Sequence, residues 1–221
     1  MLKNIYNFFN NIYISLERSI LSSYNRIFDF YHNVETRKII RNEYDNTIKS
    51  SFKDNATYYT PLRIDWIHSL LKHIAILGYN PEVFTDIGCG KGKACFYVSR
   101  TQRFKRIIGI DFNLRLIEIA NKNLKKSKHI FNKKIINFSY NDATNYILED
   151  GQNLIFLFNP FDSVVMSIFL QNNYNKIKRY DSIIAYVNGI QQSTLINLGF
   201  VKIWSDPINT MNSLWKINRL E

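Results

Sequence analysis

Between Phe84 and Val98 the chain reads FTDIGCGKGKACFYV, and three of its eight glycines fall at alternate positions, Gly88, Gly90 and Gly92. An acid, Asp86, stands just ahead of them, and apolar runs flank the loop. Glycine permits positive φ and leaves no Cβ between the backbone and a bound molecule. Spacing decides which molecule. A phosphate loop needs four residues between its glycines and then Lys followed by Ser or Thr. A dinucleotide fingerprint places its third glycine one residue later than here. A plain tight turn needs one glycine or two, so three alternating glycines after an acid-bearing strand are a more specific signal.

Asp111 adds a second constraint. It follows a second apolar run at roughly the twenty-residue distance from which an acid reaches a ribose hydroxyl pair. A lone Asp in that position can equally cap the helix that follows. Taken with the glycine loop, the ligand role is the stronger reading. Two further clusters lie downstream, Asn141-Asp142-Ala143-Thr144 and Asn159-Pro160-Phe161.

The elements that must position these residues follow a clear order. Pro61 opens a helix in which Ile64, Ile67, Leu70, Leu71, Ile74 and Ile76 share a face, and Gly78 lies beyond its end. Strands are expected at Val83–Ile87, Ile107–Ile110, Ile135–Ser139, Leu154–Phe158 and Ile183–Val187. Helices are expected at Lys93–Thr101, Leu114–Lys126 and over most of Ser163–Tyr180. This alternation predicts an α/β, doubly wound, mostly parallel sheet with helices on both faces. Phe200–Trp204 and Leu214–Ile217 read as a closing antiparallel pair. In such a sheet the ligand sits outside the carboxyl ends of the strands, where the glycine loop lies.

The first thirty residues are separate in character. Leu2, Ile5, Phe9, Ile12, Leu16, Ile20, Tyr24, Ile27 and Tyr31 recur at three- or four-residue steps, a helical stripe. Asn, Ser, Arg and Glu interrupt it too often for a membrane span or a signal peptide. The division expected is a helical extension over residues 1–33 and a ligand-binding domain over 34–221. The extension is expected to lie on the domain, to pair with a second copy, or to rest on a membrane surface.

The formal charge is +11 in 221 residues. Lys, Asn, Ile, Tyr and Phe abound together, as AT-rich coding favours, and only Lys122–Lys134 forms a basic cluster. A nucleic-acid partner therefore ranks below a composition-driven origin of the charge. The two cysteines, Cys89 and Cys95, have no histidine partner nearby, so neither a zinc site nor a disulfide framework is expected. They read as buried packers in a reducing, cytoplasmic compartment, with attachment to a membrane face as a variant of that location.

DIGCGKG, GID, NDAT and NPF, in register, resemble the class I S-adenosylmethionine-dependent methyltransferases, a Rossmann-like family. The likeness runs from about Asn33 to Trp204. It is nearest a bacterial subgroup of unsettled substrate that also carries segments similar to NVETRKI and YTP. The resemblance implies S-adenosyl-L-methionine as cofactor. Gly88 and Gly90, with Cys89 and Gly92 in the same loop, would admit its methionine part. Asp86 would hold the loop and the amino group. Asp111 would take the ribose hydroxyls beside Phe112, and Asp142 and the Ala143 backbone would meet the adenine. Tyr59 would cover the cofactor. Lys91 and Lys93 are expected in solvent, because the cofactor offers no phosphate.

Asn159, Pro160 and Phe161 would meet the methyl acceptor. Hydrogen-bond acceptors and an aromatic ring suit a nitrogen, so an N-directed methyltransferase acting on a protein or small molecule is expected. The motif is one Pro short of the Asn-Pro-Pro-aromatic of amino-adenine methyltransferases, which puts base-flipping DNA methylation in doubt. A non-catalytic cofactor-binding module or membrane-associated scaffold, and a nucleic-acid methyltransferase, are the alternatives.

Overall fold

The computed structural model describes residues 23–40, 56–57, 59–101, 103–129 and 132–218. Seven strands form one sheet: β1 (Val83–Ile87), β2 (Arg106–Asp111), β3 (Ile136–Tyr140), β4 (Asn153–Phe158), β5 (Ile183–Val187), β6 (Phe200–Ser205) and β7 (Ser213–Ile217). Their order is β3-β2-β1-β4-β5-β7-β6. The first five pair in parallel, and β7 enters antiparallel between β5 and β6. The α/β fold with an antiparallel closing pair is as the pattern predicts.

The central strands VFTDI and IIAYV are buried at every position. Such unbroken runs belong to parallel strands covered on both faces. On one face pack α1 (Ile64–Ile76), α2 (Lys93–Ser99) and α3 (Leu114–Lys126); α4 (Ser163–Arg179) and α5 (Gln192–Asn197) cover the other. Chain order reverses between β1 and β4, so the loops leaving these strands diverge and open a crevice. The glycine loop follows β1, and Asn159 follows β4.

Residues 23–32 are helical and lie on the α1–α3 face. The part of the apolar stripe before residue 23 lies outside the described residues. Within them the stripe faces outward rather than onto the domain, the first of the three arrangements considered. Phe28, Asp29 and His32 are buried, whereas Tyr24, Ile27 and Tyr31 face solvent. Phe28, packed in the core, and the polar contacts of Asn25 and His32 fasten this helix.

Candidate active site

The crevice is a cleft of 340 Å³ walled by Asp86, Gly88, Cys89, Ile110, Asp111, Phe112, Asp142 and Ala143 on the loops after β1, β2 and β3. Asn159, Pro160 and Phe161 close one end, and Ala56, Thr57, Tyr59 and Thr60 form a strap across another side. Its size suits a small organic ligand. Segments far apart in sequence thus meet around one space.

Asp111 anchors the arrangement. One carboxylate oxygen accepts from the Gly90 N–H at 2.9 Å and the other from the Asn113 N–H at 2.9 Å. Each oxygen has two acceptor positions, so one on each is left for a ligand. The helix-capping alternative fails at this residue: Asn113 caps α3 by accepting from the Leu116 N–H. Burial raises the Asp111 carboxyl to about 6, although both backbone donors oppose the shift.

Asp86 is less well satisfied. It is buried, and its hydrogen-bond donor among the described residues is the weak Cys95 thiol at 3.8 Å. Desolvation first, and the Asp111 charge second, push its carboxyl up to about 8. A buried acid so poorly paired and facing a cleft suits a cationic partner. Asp142 accepts through one oxygen from the Thr144 N–H and hydroxyl, at 2.9 and 2.8 Å, so its turn role is real. It also lines the cleft, and the two roles coexist.

The glycines divide. Gly88, at φ +79°, faces the cleft, and a Cβ there would come within 2.6 Å of the Pro160 Cβ. The two loops therefore touch. Gly90 and Gly92 are not among the lining residues. A Cβ on Gly90 would be driven into the Tyr59 ring, and one on Gly92 into the Phe138 ring. Their bareness leaves room for these rings, of which Tyr59 lines the cleft and Phe138 does not. Gly90→Ala, at φ +54°, is expected to cost about 2–3 kcal/mol through left-handed strain and displacement of Tyr59. The chemical-denaturation midpoint of the purified variant measures it.

Tyr59 reaches the cleft, but its hydroxyl points away from it and donates to the Thr36 carbonyl oxygen. The lysines overturn expectation. Lys91 is 0% exposed and Lys93 2%. The Lys91 ammonium pairs with Glu35 at 2.6 Å and sits 5.3 Å from the centre of the Tyr59 ring. Lys93 donates to the Leu62 carbonyl at 2.7 Å and to the Asn25 side chain, beside the Phe28 ring. Desolvation lowers the Lys93 ammonium to about 8. Asn123 takes the Glu35 N–H and donates to the Glu35 and Lys91 carbonyls. These side chains rivet residues 25–36 to the glycine loop. Their partners are distant in sequence, so no local signal marked them.

At the other end Asn159 adopts φ +40°, a left-handed conformation that Asn tolerates. Its side-chain oxygen accepts from the Tyr186 hydroxyl at 3.3 Å, which itself accepts from the Gln191 N–H at 3.2 Å. Thr57 donates through its hydroxyl to the Asn159 carbonyl at 2.7 Å and through its N–H to the Pro160 carbonyl at 3.0 Å. Ala56 bridges Phe161. Thr57 and Tyr186 were not foreseen, since their partners lie 102 and 27 positions away.

A methyltransferase-domain family model matches residues 81–195, just over half of the chain. The chain belongs to this family. Among solved structures, the methyltransferase is similar to an rRNA methylase from Streptococcus thermophilus, with 10% identity and a TM-score of 0.50 over 69% of this chain and 96% of that one. It is also similar to magnesium protoporphyrin IX methyltransferase from Synechocystis PCC 6803, with 12% identity and a TM-score of 0.50 over 70% and 79%. At these identities the likeness is one of fold. No curated protein matches.

The methyltransferase is an S-adenosylmethionine-dependent enzyme. The residues present fit that cofactor. Asp111 keeps two acceptor positions for a hydroxyl pair, Asp86 has no strong donor among the described residues, and Gly88 brings bare backbone to the cleft. Both cysteines are free and buried, and no three His, Cys, Asp or Glu gather as a metal site among the described residues.

Proposed function

We propose that this methyltransferase transfers methyl to a nitrogen, an amine or amide on a protein or small molecule. When bound, S-adenosylmethionine supplies an electrophilic methyl on a sulfonium. One observation carries the nitrogen reading: the cleft's far end gathers hydrogen-bond acceptors, and no histidine lines it. The carbonyls of Asn159 and Pro160 each give one lone pair to Thr57 and keep a second for an incoming N–H. The Tyr186 hydroxyl holds the Asn159 amide in one orientation. Phe161 adds an aromatic ring at the same end of the cleft.

An amine that arrives neutral needs no base, so orientation and exclusion of water carry the rate. A hydroxyl acceptor would need a base at hand. The carboxyls lining the cleft, Asp86, Asp111 and Asp142, lie at the ends of β1, β2 and β3, the side we assign to the cofactor. In this reading Asp142 and Ala143 meet the adenine beside Phe112. The acting unit is residues 34–221, with residues 1–33 an extension whose described part is riveted to the glycine loop. Two buried free thiols favour a reducing compartment, and we place the enzyme in the cytoplasm.

The test is incubation with methyl-labelled S-adenosylmethionine and a fractionated cell extract. Label recovered as an N-methyl compound on chromatography of a hydrolysed protein or metabolite fraction supports nitrogen transfer, and label in an O-methyl ether overturns it. Release as methanol in alkali marks a carboxyl ester and overturns it.

Asp86 gives a second measurable outcome. The cofactor's cationic amino group favours the ionised carboxylate, so binding draws a proton from a group near 8. The Kd for S-adenosylhomocysteine is expected to fall by up to tenfold per pH unit from pH 6 to about 8. Calorimetry in buffers of different ionisation enthalpy should record the released proton, and Asp86→Asn should flatten the slope. Stability carries the opposite sign. A carboxyl raised this far contributes stability below its unfolded value of 3.8 that is lost as pH rises towards 8, so the cofactor-free enzyme weakens over that window.

A further inference from the structure

The helix over residues 23–32 has two dissimilar sides. Phe28, Asp29 and His32 turn inward, while Tyr24, Ile27, Phe30 and Tyr31 turn outward. Phe30 is 90% exposed and Ile27 64%, values that an aqueous surface seldom tolerates side by side on one helix. The neighbouring surface is cationic. Asn33 donates to the Lys126 carbonyl, Lys128 donates its N–H to the His32 carbonyl, and the Arg100 guanidinium lies 5.9 Å from the centre of the Tyr31 ring. Arg26, Arg37, Arg100, Lys125, Lys126 and Lys128 are all exposed. The acids on the same segment are committed elsewhere: Asp29 is buried, accepting from the Thr36 N–H and hydroxyl, and Glu35 pairs with Lys91.

We propose that this face docks the enzyme on an anionic phospholipid surface. Apolar side chains that can enter the acyl boundary, ringed by exposed cations, match that surface in both chemistry and charge. The charge argues against a second copy, because two such faces would bring like cations together. The aliphatic Ile27 argues against nucleic acid, which offers it no stacking partner. The acids near the glycine loop are consumed by the rivets, so nothing described on this segment counters the attraction. The proposal stands apart from the choice of methyl acceptor.

The experiment is co-sedimentation of the full chain with vesicles of phosphatidylcholine alone and of phosphatidylcholine mixed with phosphatidylglycerol. Binding is expected to the mixed vesicles, weakened by salt. The double variant Ile27→Ser/Phe30→Ser should lose about tenfold or more in partition. Lys126→Glu/Lys128→Glu should lose binding to the mixed vesicles. Because these side chains are exposed, both variants should keep calorimetric affinity for S-adenosylhomocysteine, which separates this test from that of the methyl-transfer reading. Absent binding of the wild-type chain overturns the proposal, as does equal binding by the Ile27→Ser/Phe30→Ser variant. A concentration-dependent dimer dispersed by the same substitutions also overturns it, and assigns the face to a second copy.

Discussion

Asp111→Ala is expected to raise the Kd for S-adenosylhomocysteine by about 100-fold or more. The carboxylate is held rigid by two backbone donors, Gly90 N–H and Asn113 N–H. Its two remaining acceptor positions are therefore preorganised rather than searched for. Hydrogen bonds to a charged acceptor contribute about 1.5–3 kcal/mol each, and losing two accounts for the predicted factor. The substitution also frees the Gly90 N–H, while the Gly88 and Cys89 N–H groups still tie the loop to the Ile110 carbonyl of β2. Asp111→Asn should fall between, because its amide keeps a single acceptor oxygen. Isothermal calorimetry gives the affinities, and circular dichroism checks that α3, capped by Asn113, survives. An unchanged affinity in Asp111→Ala would remove the assigned ribose contact.

Asn159→Gly is expected to lower methyl transfer by about 100- to 1000-fold while leaving affinity for S-adenosylhomocysteine within a few-fold of wild type. Glycine is the informative choice. At φ +40° an alanine would add left-handed strain, whereas glycine keeps the turn and deletes only the amide. The readout is label uptake into the fraction identified with the wild-type enzyme. Loss of cofactor binding along with activity would show that Asn159 serves the β4 turn rather than the acceptor. Tyr186→Phe should cause a smaller loss of the same kind, since it removes the hydroxyl that orients the amide.

Most of the sheet was legible in the sequence because its strands are continuous apolar runs and its helices are periodic. The site was legible where the signal is local. DIGCGKG, Asp111 and Asn159 each sit at a strand end, and topology carries a strand end to the crevice. The errors have a shared cause. Lys91 and Lys93 were expected in solvent because the cofactor offers them no phosphate, but Glu35, Asn25 and the Leu62 carbonyl compensate their burial. Which way the stripe over residues 23–32 faces was not legible for the same reason: Asp29 and His32 are drawn in by polar partners that periodicity does not register. Gly90 and Gly92, expected at the ligand, also leave space for aromatic rings, a need that spacing does not show. Thr57 carries no motif at all. Only the pairing of the strap with the β4 turn reveals it.

The position of β7 bears on how the enzyme comes into being during synthesis. This strand, residues 213–217, lies between β5 and β6. Until it is released from the ribosome, β5 has an open edge and β6 has no neighbour. The strap of residues 56–57 likewise waits for the turn at 159–160, more than a hundred residues behind it. The nascent chain can therefore gather its first helices early but cannot complete the sheet until residues 213–217 have emerged. Ribosome-stalled chains ending before residue 213 should remain sensitive to protease.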